Sequence, residues 1–200
     1  GLRKADKGEI FVKGKQIRIK NPATAIKNGL AFVSEDRKMY GLNLVGNIKD
    51  NIALAYLDKV LIGKMFVDSK KEKEIADNLM DQLNIKANSY NTIVNNLSGG
   101  NQQKVILAKW LMGDPDVFIM DEPTRGIDVG AKAEIYKIMD NLANRGKSII
   151  MISSELPELL GMSDRVIVMH EGRITGRFSR EEANQEIIMA CSVGGNADGN

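Results

Sequence analysis

Two rhythms of apolar residues organise this chain. Short unbroken runs occur at Leu30-Ala31-Phe32-Val33, Val117-Phe118-Ile119-Met120, Ile149-Ile150-Met151-Ile152 and Val166-Ile167-Val168-Met169. Between them lie segments whose apolar residues recur every three or four positions, the helical period. The runs predict strands, and 117–120 is apolar throughout, as suits a strand of a parallel sheet covered on both faces. Helices are predicted over 101–112, 131–145, 155–161 and 181–190. Ile135, Ile138, Met139 and Leu142 mark the inner side of the second, and the latter half of the first is apolar nearly all round and should be buried. Upstream, 8–19 reads as a strand, a Gly-Lys turn and a second strand, followed by a short helix over 23–28 that stops at Gly29. Residues 48–96 look mainly helical: Ser69-Lys70-Lys71-Glu72 matches a capping box, and Ile75, Leu79 and Leu83 share one face. Residues 88–96 are a polar linker, and 173–178 is a late strand after the Glu171-Gly172 turn. The expectation is one α/β domain over 1–193 with a helical subdomain at about 48–112. A tail at 194–200 lacks any apolar anchor and should be disordered.

Chemistry concentrates where these elements meet. Ser98-Gly99-Gly100-Asn101-Gln102 is a turn opening the 101–112 helix. Such a turn offers backbone N–H groups and the positive end of a helix dipole to an anion, with Asn and Gln donors beside them. Asp121 and Glu122 follow the 117–120 strand at its carboxyl end, where ligands bind in open α/β sheets. Asp121 suits Mg²⁺, which keeps several waters and needs few carboxylates, and Glu122 suits the polarisation of an attacking water. Asp128 reads both as a site residue and as the N-cap of the 131–145 helix. Together these groups describe phosphoryl transfer from a nucleotide. No G-x-x-x-x-G-K-[ST] loop occurs in the sequence, so the usual phosphate cradle is missing from it. Gly146-Lys147-Ser148 imitates the end of such a loop. It follows a helix and precedes a strand, the reverse of the order a phosphate loop requires, so Gly146 reads as a C′ glycine.

Composition adds little beyond exclusions. The chain is 43% hydrophobic and 27% charged, which is globular, and its formal net charge of +2 gives no reason to expect nucleic acid. Cys191 is alone, which fits a reducing compartment, and it reads as a small apolar residue near a helix end. His170, the single histidine, sits beside a Glu-Gly turn and reads as a solvated turn residue. No apolar run approaches a membrane span, so the chain is expected to be soluble or peripheral to a membrane through a partner.

The stretches 97–104, 121–132 and 152–158 resemble ATP-binding cassette (ABC) proteins, an incomplete P-loop NTPase fold here. More narrowly they look like the C-terminal half of the tandem ATP-binding subunit of bacterial monosaccharide importers of the ribose, galactose and xylose type. Glu35-Asp36-Arg37-Lys38 supports that narrower likeness. The resemblance makes 97–101 the cassette signature, 117–122 the Walker B strand and 125–128 the D-loop. It sets Glu35 at the Q-loop position, with a role toward the metal, and Ser154 where most cassettes carry a switch histidine. Asn101 replaces the usual signature glutamine. It further implies ATP and Mg²⁺ as cofactors and a chain truncated just past its P-loop helix. The implied partners are the N-terminal cassette of the same parent chain, membrane permease subunits and, indirectly, a periplasmic or lipoprotein sugar-binding protein. The place of action would be the cytoplasmic face of the membrane. The 48–96 region and the loop from Glu35 to Gly41 would receive a permease coupling helix. Two other readings stay open: a regulatory or docking cassette that no longer hydrolyses ATP, and a non-transport cassette ATPase. The latter predicts a long coiled-coil or basic insertion, and the sequence has none.

Overall fold

The computed structural model describes residues 1–195 apart from Lys4 and Lys64. The chain divides into two compact units, Gly1–Ile152 and Ser153–Asn200. The first is built on a parallel sheet of β3 (Leu30–Val33), β6 (Val117–Asp121) and β7 (Ser148–Ile152), with β6 in the centre. Leu30 pairs with Val117 and Val117 with Ser148, so the strands run in step, and Asp121 ends the central strand opposite Ile152. One sheet face is sealed: Ala31, Val33, Phe118 and Met120 are buried. The other is open, with Phe32 42%, Ile150 54% and Ile152 48% exposed. The expectation of a sheet covered on both faces therefore holds for one face only. An apolar strand run records the character of both faces, not the presence of a cover.

Ahead of the sheet, β1 (Ile10–Val12) and β2 (Lys15–Ile17) form the predicted hairpin. Its turn is Lys13-Gly14, both at positive φ, as a two-residue hairpin turn demands. Helix α1 (Pro22–Lys27) is capped by the Asn21 side chain and leads into β3. Between Ile48 and Asn96 the chain is less helical than its pattern suggests. It holds α2 (Ile48–Ala53), a two-residue hairpin of β4 (Leu61–Ile62) and β5 (Phe66–Val67), and α3 (Ser69–Gln82). The expected capping box is replaced by a simpler cap one residue earlier. Asp68 accepts the Lys71 N–H, and Glu72 turns inward to Lys49 Nζ at 2.6 Å. Asn51, almost wholly buried, accepts from Asn43 N and donates to the Asn43 and Asn47 carbonyls, fixing the 43–47 loop.

Helix α4 (Gly99–Leu111) is the centre of this unit and is buried from Gln102 to Lys109. It packs on α2, α3, β3 and α5 (Val129–Asn144). Two of its buried residues are lysines whose ammonium groups end on backbone carbonyls: Lys104 on Asn84 at 2.7 Å and Lys109 on Gly41 at 2.6 Å. Burial lowers the Lys109 pKa to about 8. Helix α5 ends as its sequence implies. Gly146, at φ 80°, donates to Ala143 O and Lys147 N donates to Leu142 O, a Schellman motif. That settles Gly146-Lys147-Ser148 as a helix stop.

The second unit contains α6 (Leu156–Met162), an antiparallel pair of β8 (Arg165–His170) and β9 (Arg173–Ser179), and α7 (Gln185–Ser192). Val166, Val168, Phe178, Ile188 and Cys191 form its core. His170 is half-buried, and its Nδ1 meets the Ser192 carbonyl at 2.8 Å at the C-terminal end of α7, so it braces a helix end instead of lying free in solvent. Of the 194–200 tail, Gly194 and Gly195 donate back to Cys191 O and Ala190 O, and 196–200 lies outside the described residues.

Lys104 is 2% exposed and bridges Asn84 O to Glu134 Oε2 at 2.5 Å, tying α4 to α5. Replacing it with Met leaves both acceptors without that donor and should cost roughly 1–3 kcal/mol, read as a lower urea midpoint. The hydrogen bond from Lys104 chiefly holds the Glu134 carboxyl below its ordinary pKa of 4.5. A depressed folded pKa gives stability that is present above 4.5 and lost as pH falls through the lower folded value. Glu134→Gln should therefore flatten the acid limb of a melting-temperature titration.

Candidate functional site

The first half of the site is the start of α4. Ser98 has extended backbone and caps the helix, its Oγ accepting from Asn101 N at 3.4 Å and Asn101 Nδ2 at 3.0 Å. Gln102 N closes the first helical bond onto Ser98 O. The N–H groups of Gly99 and Gly100 are thereby the orphan donors of the helix N-terminus, aligned with its dipole. Glycine is required here by packing. A Cβ on Gly100 would lie 2.5 Å from the Ala131 Cβ of α5, and one on Gly99 would lie 3.0 Å from Arg37 Nη2. The two polar neighbours of the turn are committed elsewhere. Asn101 Oδ1 accepts from Lys86 N at 2.8 Å, and Gln102 is buried with Nε2 on Val94 O at 3.2 Å. The sequence offered both as anion donors; their side chains here hold the 84–96 segment against α4.

The second half begins where β6 ends. Asp121 is half-buried on the sheet face opposite Phe118 and Met120. Glu122 extends the ladder by donating its N–H to Ile152 O at 2.9 Å, and then turns at φ 46° just before Pro123. A non-glycine residue at positive φ ahead of proline is strained, by about 1–3 kcal/mol for positions of this kind. The chain then loops through buried Thr124 to Asp128, whose carboxylate accepts Ala131 N at 2.9 Å and caps α5. The cap expected of Asp128 is present. The Gly100–Ala131 approach brings this loop and the α4 turn together.

A third segment closes on them. After β3 the chain makes one π-helical turn, Arg37–Gly41, capped by the Asp36 carboxylate on Lys38 N and Met39 N. Arg37 reaches across to Arg125 O at 2.8 Å and Gly126 O at 3.2 Å. In return Arg125 pairs through its guanidinium with Glu35. Glu35, read from sequence as turned toward a metal, thus has its carboxylate engaged by an arginine. Glu35, Asp36, Arg37, Lys38 and Arg125 line an open pocket of about 390 Å³. Ser154 belongs to the second unit, just before α6, and its neighbour Ser153 hydrogen-bonds to Glu158 and accepts from Glu155 N at 3.1 Å. Arg37, Lys109 and Asn51 carry no local pattern that assigns them these roles. The only hint for Arg37 is its place in the Glu35–Lys38 motif.

No group of three His, Cys, Asp or Glu side chains able to hold a metal exists among the described residues. A divalent ion here would rest on Asp121 with waters and phosphate oxygens, which fits the habit of Mg²⁺ and not that of ions needing a protein cage.

The family model for ABC transporters matches residues 1–125, well over half of the chain. The chain belongs to the ABC transporter family. A ribose import ATP-binding protein of Oceanobacillus iheyensis is 53% identical over 196 residues, which is 98% of this cassette but 39% of that protein. A xylose import ATP-binding protein of Thermoanaerobacter pseudethanolicus is 54% identical over 188 residues, 94% of this chain and 37% of its own length. The cassette thus spans under half of the relatives it matches. Among solved structures, a nucleotide-free ATP-binding cassette from an ABC transporter superposes with a TM-score of 0.80 at 21% identity, covering 97% of this chain and 80% of its own. A dimeric cassette bound to ADP and phosphate gives 0.74 at 18% identity, covering 90% and 76%. These likenesses establish the cassette fold.

The Gly100–Ala131 approach makes a sharp test of the site's packing. Gly100→Ala should destabilise by about 1–3 kcal/mol through overpacking. Adding Ala131→Gly should recover part of that loss, because it removes the atom in the way. A Gly100→Ala variant that melts as the parent does would show that the two helices are free to separate.

Proposed function

We propose that this cassette is part of an ATP-binding and hydrolysing subunit that powers uptake of a monosaccharide by a bacterial ABC importer. The observation that carries the reading is identity above 50%, over nearly the whole chain, to proteins named for ribose and xylose import. The site geometry supports it: a relaxed, glycine-packed helix N-terminus faces outward from the same unit that ends β6 in Asp121 and Glu122. The sugar itself would be chosen by the binding protein and the permease. No helix among the described residues is long and apolar enough to cross a membrane, which suits attachment to the cytoplasmic face through permease subunits.

In this reading Gly99 and Gly100 donate N–H groups to the terminal phosphate of ATP held by another cassette, with Ser98 fixing the turn. Asp121 holds Mg²⁺, which when bound neutralises phosphate charge. Glu122 orients the attacking water, and Asp128 sets the loop that faces the partner cassette. Ser154 stands where a histidine would assist Glu122, and Glu35 where a glutamine would meet the metal. Those two replacements favour unequal sites, with hydrolysis weak at the one served by Glu122. The open sheet face, with Phe32, Ile150 and Ile152 exposed, is apolar surface that further chain would cover. It fits a longer parent subunit.

Two measurements follow. The 200-residue chain alone should bind Mg·ATP weakly and turn none over, because the phosphate-cradling loop is not in its sequence. A low-micromolar dissociation constant by calorimetry would contradict this. In the assembled transporter, Ser98→Arg and Gly99→Asp should abolish most ATPase activity and sugar uptake, since they put bulk or negative charge where phosphate docks. Glu122→Gln, which at a working site costs about 10²–10⁴ in rate, should here reduce uptake less than either. Equal damage from Glu122→Gln and Gly99→Asp would make the Glu122 site a full catalyst and end the asymmetric reading.

A further inference from the structure

We propose that Arg37 is a positioning residue that locks the 125–128 loop against the start of α4, and so couples the 35–41 loop to the nucleotide-facing surface. The proposal rests on the ATPase reading above and adds a role for a motif which that reading leaves unused. Arg37 and Arg125 are 88 residues apart, yet the two loops hold one another in both directions. The Arg37 guanidinium donates to two consecutive carbonyls, Arg125 O at 2.8 Å and Gly126 O at 3.2 Å. The Arg125 guanidinium pairs back with the Glu35 carboxylate. Gly126 sits at φ 66°, a conformation glycine takes without strain, and the bend there leaves both carbonyls within reach of one planar fork.

The third side of this clasp is the phosphate-facing turn. Arg37 Nη2 lies where a Cβ on Gly99 would come within 3.0 Å, and Gly126 O lies 3.3 Å from the same point. The guanidinium therefore fills the space between the loop carrying Asp128 and the first residue of α4. Its Nε is buried without a hydrogen-bond partner, so the group has given up hydration to sit there. On the other side, the turn that carries Arg37 presents Met39 and Tyr40, 69% and 74% exposed, at the surface proposed to meet the permease. A push on that surface reaches the 125–128 loop through the Arg37 guanidinium and the Glu35–Arg125 pair. Lysine is a poor substitute because a point charge on a flexible stem cannot span two fixed carbonyls.

The test uses the intact importer in proteoliposomes, with Arg37→Lys and Arg37→Met beside the parent and Gly99→Asp as a loss-of-site control. The expected result is a fall of about tenfold to a hundredfold in ATPase kcat, with KM for ATP nearly unchanged, because geometry and not nucleotide affinity is lost. Arg37→Lys should recover little of it. Amide hydrogen exchange at Gly126 and Ile127 should quicken in both variants while the interior of α4 stays protected. Should Arg37→Met misfold, Arg37→Lys and Glu35→Gln supply the same readouts. A raised KM at constant kcat, or unchanged exchange at 126–127, overturns the proposal. If the parent transporter hydrolyses no ATP the functional reading fails by itself, and the exchange measurement still judges the clasp.

Discussion

The arrangement depends on how closely α4 can approach the chain around its first turn. Two groups crowd that point: the Ala131 methyl from α5 against Gly100 and the Arg37 guanidinium against Gly99. The absence of a Cβ at Gly100 lets Ala131 come in without a shift of either helix. Gly100 is therefore a packing requirement. Ser98 completes the turn by capping from outside the helix, where its side chain takes no interior space. Loop and helix are fixed by one steric condition.

Burial of α4 imposes a second condition. A helix covered nearly all round has no polar stripe to fix its rotation, and uniformly apolar sides leave it free to roll. Lys104 and Lys109 remove that freedom. Each ends on one specific carbonyl, Asn84 O or Gly41 O, and Lys104 also meets Glu134. The cost of drying an ammonium group is visible in the lowered pKa of Lys109. Gly41 closes the π turn begun by Arg37, so the Lys109 bond also fixes the far end of the segment that clasps the 125–128 loop.

Local chemistry made much of this legible in sequence. The strands of the parallel sheet announce themselves as apolar runs, and α4, α5 and the Gly146 stop are marked by residues adjacent to them: Ser98, Asp128 and Gly146. The β4–β5 hairpin was invisible because each strand has two residues and neither is buried deeply enough to show a period. The Asp68 cap was masked by a better-looking motif one residue later. The contacts of Arg37, Lys109 and Asn51 have no sequence signature at all, since their partners are backbone carbonyls or amides, which every residue supplies. The open sheet face was missed for a related reason: apolar residues imply that a face wants covering, and cannot say what covers it.

The two ends of the site differ in mechanical character. The α4 turn is capped by Ser98 and packed closely against Ala131 and Arg37. Glu122 stands on strained backbone at φ 46°, held by its N–H on Ile152 O and by Arg125 N on its own carbonyl. Strain of that kind persists only where surrounding contacts over-determine it, and here one of those contacts belongs to the loop that Arg37 holds.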